Sequence, residues 1–256
     1  PQEIFFYRFL IAYLGIWVIS PKRLFTNNWQ DELWLVAGGI FGGSLYFFTE
    51  NTALGITQAS NVSFIICTAP LLTTILSLLF YKSEKASKGL IYGSLLALMG
   101  VGLIVFNGSF VLKISPIGDL LTLLAALSWA FYSLIIKKMA GRYPTVFITR
   151  KIFFYGVLTI LPAFLLHPLQ PDTAVLLQPG VLFNLLFLAV LASLICYVLW
   201  NVVLKQLGTV RASNYIYLNP LVTMIASSLI LDEKITLVAL GGAACIVCGV
   251  YWAEKK

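Results

Sequence analysis

The sequence predicts an all-α, polytopic membrane protein made of two inverted-topology five-helix repeats, with nine transmembrane helices in its 256 residues. Three observations carry that expectation. First, 60% of the residues are hydrophobic and 11% charged, against about 45–50% and about 25% in an ordinary globular domain. The mean hydropathy of +0.93 extends along the whole length. Second, apolar runs long enough to span a bilayer recur between short polar breaks. Third, short motifs repeat at a spacing of 148 to 150 residues.

The elements follow in order as apolar runs bounded by charge, Pro or Gly. Run 4–20 opens on Ile4-Phe5-Phe6-Tyr7 and stops at Pro21 and the basic pair Lys22-Arg23. Run 33–54 carries Gly38, Gly39, Gly42 and Gly43, two overlapping GxxxG patterns that suit either close helix packing or sliding. Run 60–81 contains Pro70, run 89–106 is Gly-rich, and run 118–137 ends on Lys137-Lys138. Run 152–167 begins with a second Ile-Phe-Phe-Tyr and ends at His167, the one histidine. Runs 181–203, 212–231 and 235–253 complete the set, the middle one holding Pro220. Trp29, Trp34, Tyr81, Tyr92, Tyr143 and Trp252 lie near run ends, where aromatic rings anchor at the interface.

Counted on alternate sides of these spans, 14 of the 17 Lys and Arg residues fall on one side. Lys113 and Lys234 fall on the other and Arg8 lies within a span. The positive-inside rule makes the basic side cytoplasmic, with the C-terminus inside and the start of the chain outside. The net charge of +7 is thereby absorbed, and no nucleic-acid partner is expected.

Ile4–Tyr7 recurs at Ile152–Tyr155, Pro70 matches Pro220, Glu84-Lys85 matches Glu233-Lys234, Gly93 matches Gly242, and Gly100-Val101 matches Gly249-Val250. Residues 1–106 form a first repeat with four spans and 118–256 a second with five, joined by an outer linker at 107–117. On this spacing a further helix is expected about 30 residues ahead of Pro1. An odd count per repeat forces the halves to cross the membrane in opposite senses.

These features resemble the drug/metabolite transporter superfamily, specifically its EamA-type ten-helix permeases. The residues that carry the likeness are Arg8 in the helix after Pro1, TAPLL and LNPLV around Pro70 and Pro220, Glu84 and Glu233, the Gly-rich runs, and GDLLTLLAALSWAFYSLIIKK at 118–138. The resemblance covers the chain apart from a first helix. It implies transport of amino acids, metabolites or drugs, and no cofactor.

Arg8 and Glu50 are the two charges expected within spans, both in the outer third of the membrane. They suit either a buried ion pair or an outer gate responsive to substrate or proton, which is where proton coupling would enter. Asn51 has its counterpart in Asn201, and Trp200 stands where Glu50 does in the first repeat. The two amides suit alternating latches or simple interhelical hydrogen bonds. Asn61 before Pro70, and Asn214, Tyr217 and Asn219 before Pro220, mark two helices whose freed carbonyls need a protein or wet partner. With Trp129 and Tyr132 they are the candidate walls of a substrate cavity, unless those aromatics face lipid.

Cys67, Cys196, Cys245 and Cys248 lie in apolar runs, and the Cys245/Cys248 pair lacks a second ligand pair, so no metal site is expected. No HExxH motif or intramembrane Ser/His pairing supports a membrane enzyme. The reading is a secondary transporter in a bacterial inner membrane moving a small amino-acid-like or amphipathic solute by alternating access. A passive channel is the alternative. The partners expected are that solute and the lipid bilayer.

Overall fold

The computed structural model describes residues 2–21, 25–26, 28–81, 87–106, 115–166, 169, 173–230 and 235–255. Pro1, Lys22, Arg23, Lys82, Glu84, Lys85, Lys113, His167, Glu233, Lys234 and Lys256, used above, lie outside them. The described residues contain helices and no strand: α1 (Gln2–Ile19), α2 (Trp29–Gly39), α3 (Leu45–Ile56), α4 (Ala59–Ile66), α5 (Ala69–Phe80), α6 (Lys88–Phe106), α7 (Pro116–Ala140), α8 (Thr145–Ile160), the short α9 (Ala163–Leu166) and α10 (Thr173–Leu176), α11 (Pro179–Leu186), α12 (Cys196–Leu207), α13 (Thr209–Asn214), α14 (Asn219–Ile230) and α15 (Leu237–Glu254). The chain is an all-α, polytopic membrane protein, with seven helical stretches among the described residues long and apolar enough to cross a bilayer. The expected runs 33–54 and 212–231 fall on helices but are not among the seven; they carry the acid Glu50 and the cluster Asn214, Asn219 and Pro220.

Several expected spans are interrupted at corresponding places. A π-helical turn, Ile40–Ser44, joins α2 to α3, and a longer one, Phe187–Ile195, joins α11 to α12. Ahead of Pro70 the helix breaks at Cys67 and Thr68, and ahead of Pro220 it tightens into a 3₁₀ turn, Tyr215–Leu218. Proline removes the N–H that would bond back one turn and crowds the preceding carbonyl, which accounts for both breaks. Helix α8 begins at Thr145, seven residues before the expected span start at 152. Arg150 and Lys151, just ahead of that start, are both buried, Arg150 on the Ser20 carbonyl and Lys151 on Glu32, and the helix runs through them.

The chain forms two compact units. Unit 1 comprises Pro1–Asn51 and Phe131–Gln206, and unit 2 comprises Thr52–Ala130 and Leu207–Lys256. In unit 1, α1 packs on α8 and on the second π turn, while α2 and the first π turn also pack on α8. All four glycines at 38–43 serve contact here; a Cβ on Gly42 would fall 2.2 Å from Cδ2 of Tyr132. Phe9, Phe153 and Tyr197 meet edge to face or tilted at 5.0–5.7 Å between centroids, a geometry that adds to simple burial.

Unit 2 is organised by α6 on α15, with Cys67, Ala97, Val101, Tyr217, Ile246 and Val250 as a buried cluster. Gly93 meets Gly249, and Gly100 meets Gly242. Their numbers run in opposite directions, so the helices are antiparallel. A Cβ on Gly93 would lie 2.4 Å from the Gly249 oxygen, and one on Gly100 would lie 2.5 Å from the Gly242 oxygen. Only glycine permits backbones to come this close. Both helices also start alike: Ser87 Oγ accepts from Leu90 N at 3.1 Å, and Thr236 Oγ1 accepts from Ala239 N at 3.2 Å.

Candidate functional site

Unit 1 concentrates its polar groups at two depths. At the first, toward the start of α1, Arg8 Nε donates to Ser193 Oγ at 2.8 Å, and its guanidinium lies 4.6 Å from the Phe47 ring centroid. Ser193 belongs to the second π turn, and Phe47 follows the first. Tyr46 OH donates to Glu50 Oε1 at 3.1 Å, and Tyr197 OH donates to the Gly42 carbonyl at 2.6 Å. Arg8 and Glu50, expected within salt-bridge or one-water distance of each other, do not form a direct ion pair, whereas Arg142–Asp31 and Lys151–Glu32 do. The two charges nevertheless lie close enough to act on each other through space. Each has one neutral anchor instead, Ser193 for Arg8 and Tyr46 for Glu50.

At the second, Asn201 of α12 is fully buried and joins three helices. Its Oδ1 accepts from Tyr132 OH at 2.7 Å and its Nδ2 donates to Thr149 Oγ1 at 2.9 Å. Tyr132 is thus completely enclosed, with its ring under Gly42 and its hydroxyl on Asn201. Asn51 and Trp200 are half-buried.

The strongest electrostatics lie beyond these candidates. Glu32, at the start of α2, accepts from Lys151 Nζ and Tyr155 OH on one oxygen. Thr26 donates to the other oxygen through its N–H at 2.9 Å and its hydroxyl at 2.6 Å. Burial alone would raise the Glu32 carboxyl, but the bonds from Lys151, Thr26 and Tyr155 outweigh it and hold it at about 2. Next to it, Asp31 takes Arg142 at 2.5 Å and Tyr143 OH at 2.9 Å. Burial and the Asp31 carboxylate together push the Tyr143 phenol up. Arg150 donates to the Ser20 carbonyl at 2.5 Å.

In unit 2, Asn214 lies beside Ser94, whose hydroxyl approaches Oδ1 at 3.5 Å. Asn214 Nδ2, Ser213 Oγ and Tyr217 OH are sealed from solvent with no hydrogen-bond partner among the described residues. Asn61 is buried, Trp129 is half-buried and Asn219 is exposed. At the end of the unit that holds the C-terminus, a cavity of about 280 Å³ is lined by Thr74, Ser87, Thr209, Arg211 and Glu254, among others. Gly208 at its rim has φ +81, a left-handed conformation that favours glycine.

A model of the EamA-like transporter family matches residues 1–106 and 116–253. The chain belongs to the EamA-like transporter family. This EamA-like chain is 29% identical over 260 residues to an uncharacterized transporter of Archaeoglobus fulgidus, covering all of this chain and 88% of the relative. It is 24% identical over 248 residues to a probable amino-acid metabolite efflux pump of Escherichia coli K12, covering 94% of this chain and 81% of that one. A solved crystal structure shares the fold with a TM-score of 0.81 at 17% identity, over 99% of this chain and 87% of that one. The family and these relatives are transporters rather than enzymes.

Within this EamA-like chain the buried set Asp31, Glu32, Arg150 and Lys151 escaped sequence reasoning because each residue flanks an apolar run and reads as a solvated boundary. One signal was available. Asp31 and Glu32 sit in the first turn after Asn28, whose side chain caps the helix by accepting from Gln30 N at 2.9 Å. That cap places the helix start ahead of the acids and draws them into the packed end.

Proposed function

We propose that the protein is a secondary transporter that moves a small amino-acid-like or amphipathic solute by alternating access between two inverted repeats. The observation that carries the reading is the reciprocal contact of α6 with α15. Gly93 and Gly242 are repeat equivalents, as are Gly100 and Gly249, yet each glycine touches the counterpart of the other. Such an exchange is what a local two-fold axis perpendicular to antiparallel helices produces. If these helices cross the bilayer, that axis lies in the membrane plane. Equivalent caps at Ser87 and Thr236, and π turns at corresponding positions, support the same relation.

Asymmetry within unit 2 supports alternation. Helix α5 packs along α13, with Ser77 Oγ 3.4 Å from Thr209 Oγ1, whereas their repeat equivalents α14 and α4 make no comparable contact among the described residues. By the distribution of Lys and Arg, the α5–α13 contact is at the cytoplasmic side, as is the C-terminus, in an inner plasma membrane of bacterial type. Asn61, Trp129, Asn214, Tyr217 and Asn219 are the proposed binding groups of unit 2. In unit 1, Tyr132 and Asn201 position helices, Arg8, Glu50 and Asn51 belong to the outer gate, and Trp200 stands beside Asn201 at the inner end. The name of the E. coli relative favours export.

Radiolabelled amino acids loaded into proteoliposomes test this reading. A carrier gives saturable uptake accelerated by unlabelled solute on the far side; non-saturating flux would identify a channel. Tyr217→Phe and Asn219→Ala are expected to weaken transport while leaving folded yield intact, and normal transport by both would remove the proposed site. Imposing a pH gradient on wild type and Glu50→Gln tests proton coupling.

A further inference from the structure

We propose that Arg8 and Glu50 hold the two charges of a zwitterionic solute, the guanidinium taking its carboxylate and the Glu50 carboxylate its ammonium. This names a substrate class and a site for the carrier reading and rests on it. Each side chain lies six residues inside its helix, Arg8 from Gln2 and Glu50 from Ile56, hence about 9 Å along the axis. Leaving such charges at that depth costs a few kcal/mol, so an occupant must repay it.

The details of anchoring point to an external partner. Arg8 spends its Nε on Ser193 and rests against Phe47, which fixes the fork while leaving both terminal nitrogens without a hydrogen bond among the described residues. Glu50 spends one oxygen on Tyr46. Arg8 and Glu50 are both half-buried rather than fully buried. A structural ion pair would have closed the gap between them, yet they stay beyond ion-pair distance. A planar fork with two parallel N–H donors matches a carboxylate bidentately, and its strength grows where water is scarce. The opposed acceptor, Glu50, suits a primary ammonium. Aromatic rings from Tyr46, Phe47 and Tyr197 give the surroundings a dry, neutral character.

The test uses the full chain in proteoliposomes. All twenty amino acids are first screened for saturable exchange, and the best one is compared with its amide and its decarboxylated amine as competitors. In wild type, loss of the carboxylate should weaken competition by about tenfold or more, about 1.4 kcal/mol. In Arg8→Gln the amino acid and its amide should compete equally, and Glu50→Gln should lose its preference for the amino acid over the matching carboxylic acid. These ratios are insensitive to a smaller folded fraction, and Arg8→Lys, which keeps the charge without the fork, should restore only part of the carboxylate preference. Saturable exchange with unchanged ratios in both variants overturns this inference alone. If no amino acid exchanges saturably in wild type, the carrier reading for such solutes falls and takes the inference with it.

Discussion

At the scale of single residues, the protein meets Arg8 and Glu50 with neutral partners and Asp31 and Glu32 with ion pairs. Glu32 illustrates the second case. Its carboxyl is held at about 2, below the ordinary value of 4.5. The stabilisation it contributes is therefore fully present above about pH 4.5 and is lost as pH falls toward 2. Glu32→Ala leaves Lys151, which is 0% exposed, uncompensated, and is expected to cost about 3–5 kcal/mol, read as a lowered melting temperature in detergent. Tyr132→Phe keeps the ring under Gly42 but strips the Asn201 oxygen of its donor, at about 1–3 kcal/mol. Arg8, Glu50 and Asn201 were legible in the sequence because polar residues stand out inside apolar runs. Arg150 and Lys151 were not, because burial of a charge at a helix end depends on partners more than 110 positions away.

At the scale of elements, apolar runs and prolines located the helices, but sequence did not reveal their irregular turns. Nothing in Phe187–Ile195 departs from an ordinary apolar helix by composition, and the π turn there packs against α1. The Gly-rich runs were expected to associate closely, and the α6–α15 contact makes that association checkable. Gly100→Leu must push the backbones apart and is expected to cost about 1–3 kcal/mol or more, seen as lower thermal stability of the purified protein. Gly241→Leu on the partner helix α15, where nothing lies within 4 Å of an added Cβ, should leave the melting temperature almost unchanged.

At the scale of the whole molecule, the topology assigned from basic residues has a direct test. In a variant with its four cysteines replaced, Ser87→Cys should react with a membrane-impermeant maleimide only from the cytoplasmic face, and Thr236→Cys only from the outer face. Reaction of both from one side would remove the inverted arrangement. The 148 to 150 spacing that suggests the repeat rests largely on prolines and glycines, residues that mark backbone geometry even where side chains diverge. The substrate was not legible, since few side chains suffice to choose a solute. The π turn at Ile40–Ser44 bears on that choice. A wide turn holds one more residue than an α-turn, so removing Phe41 would wind α3 about 100° relative to α2. The carboxylate of Glu50 would then point to a different compass bearing about the helix axis from its present one. A single-codon deletion could therefore redirect a charge without changing any side chain near it.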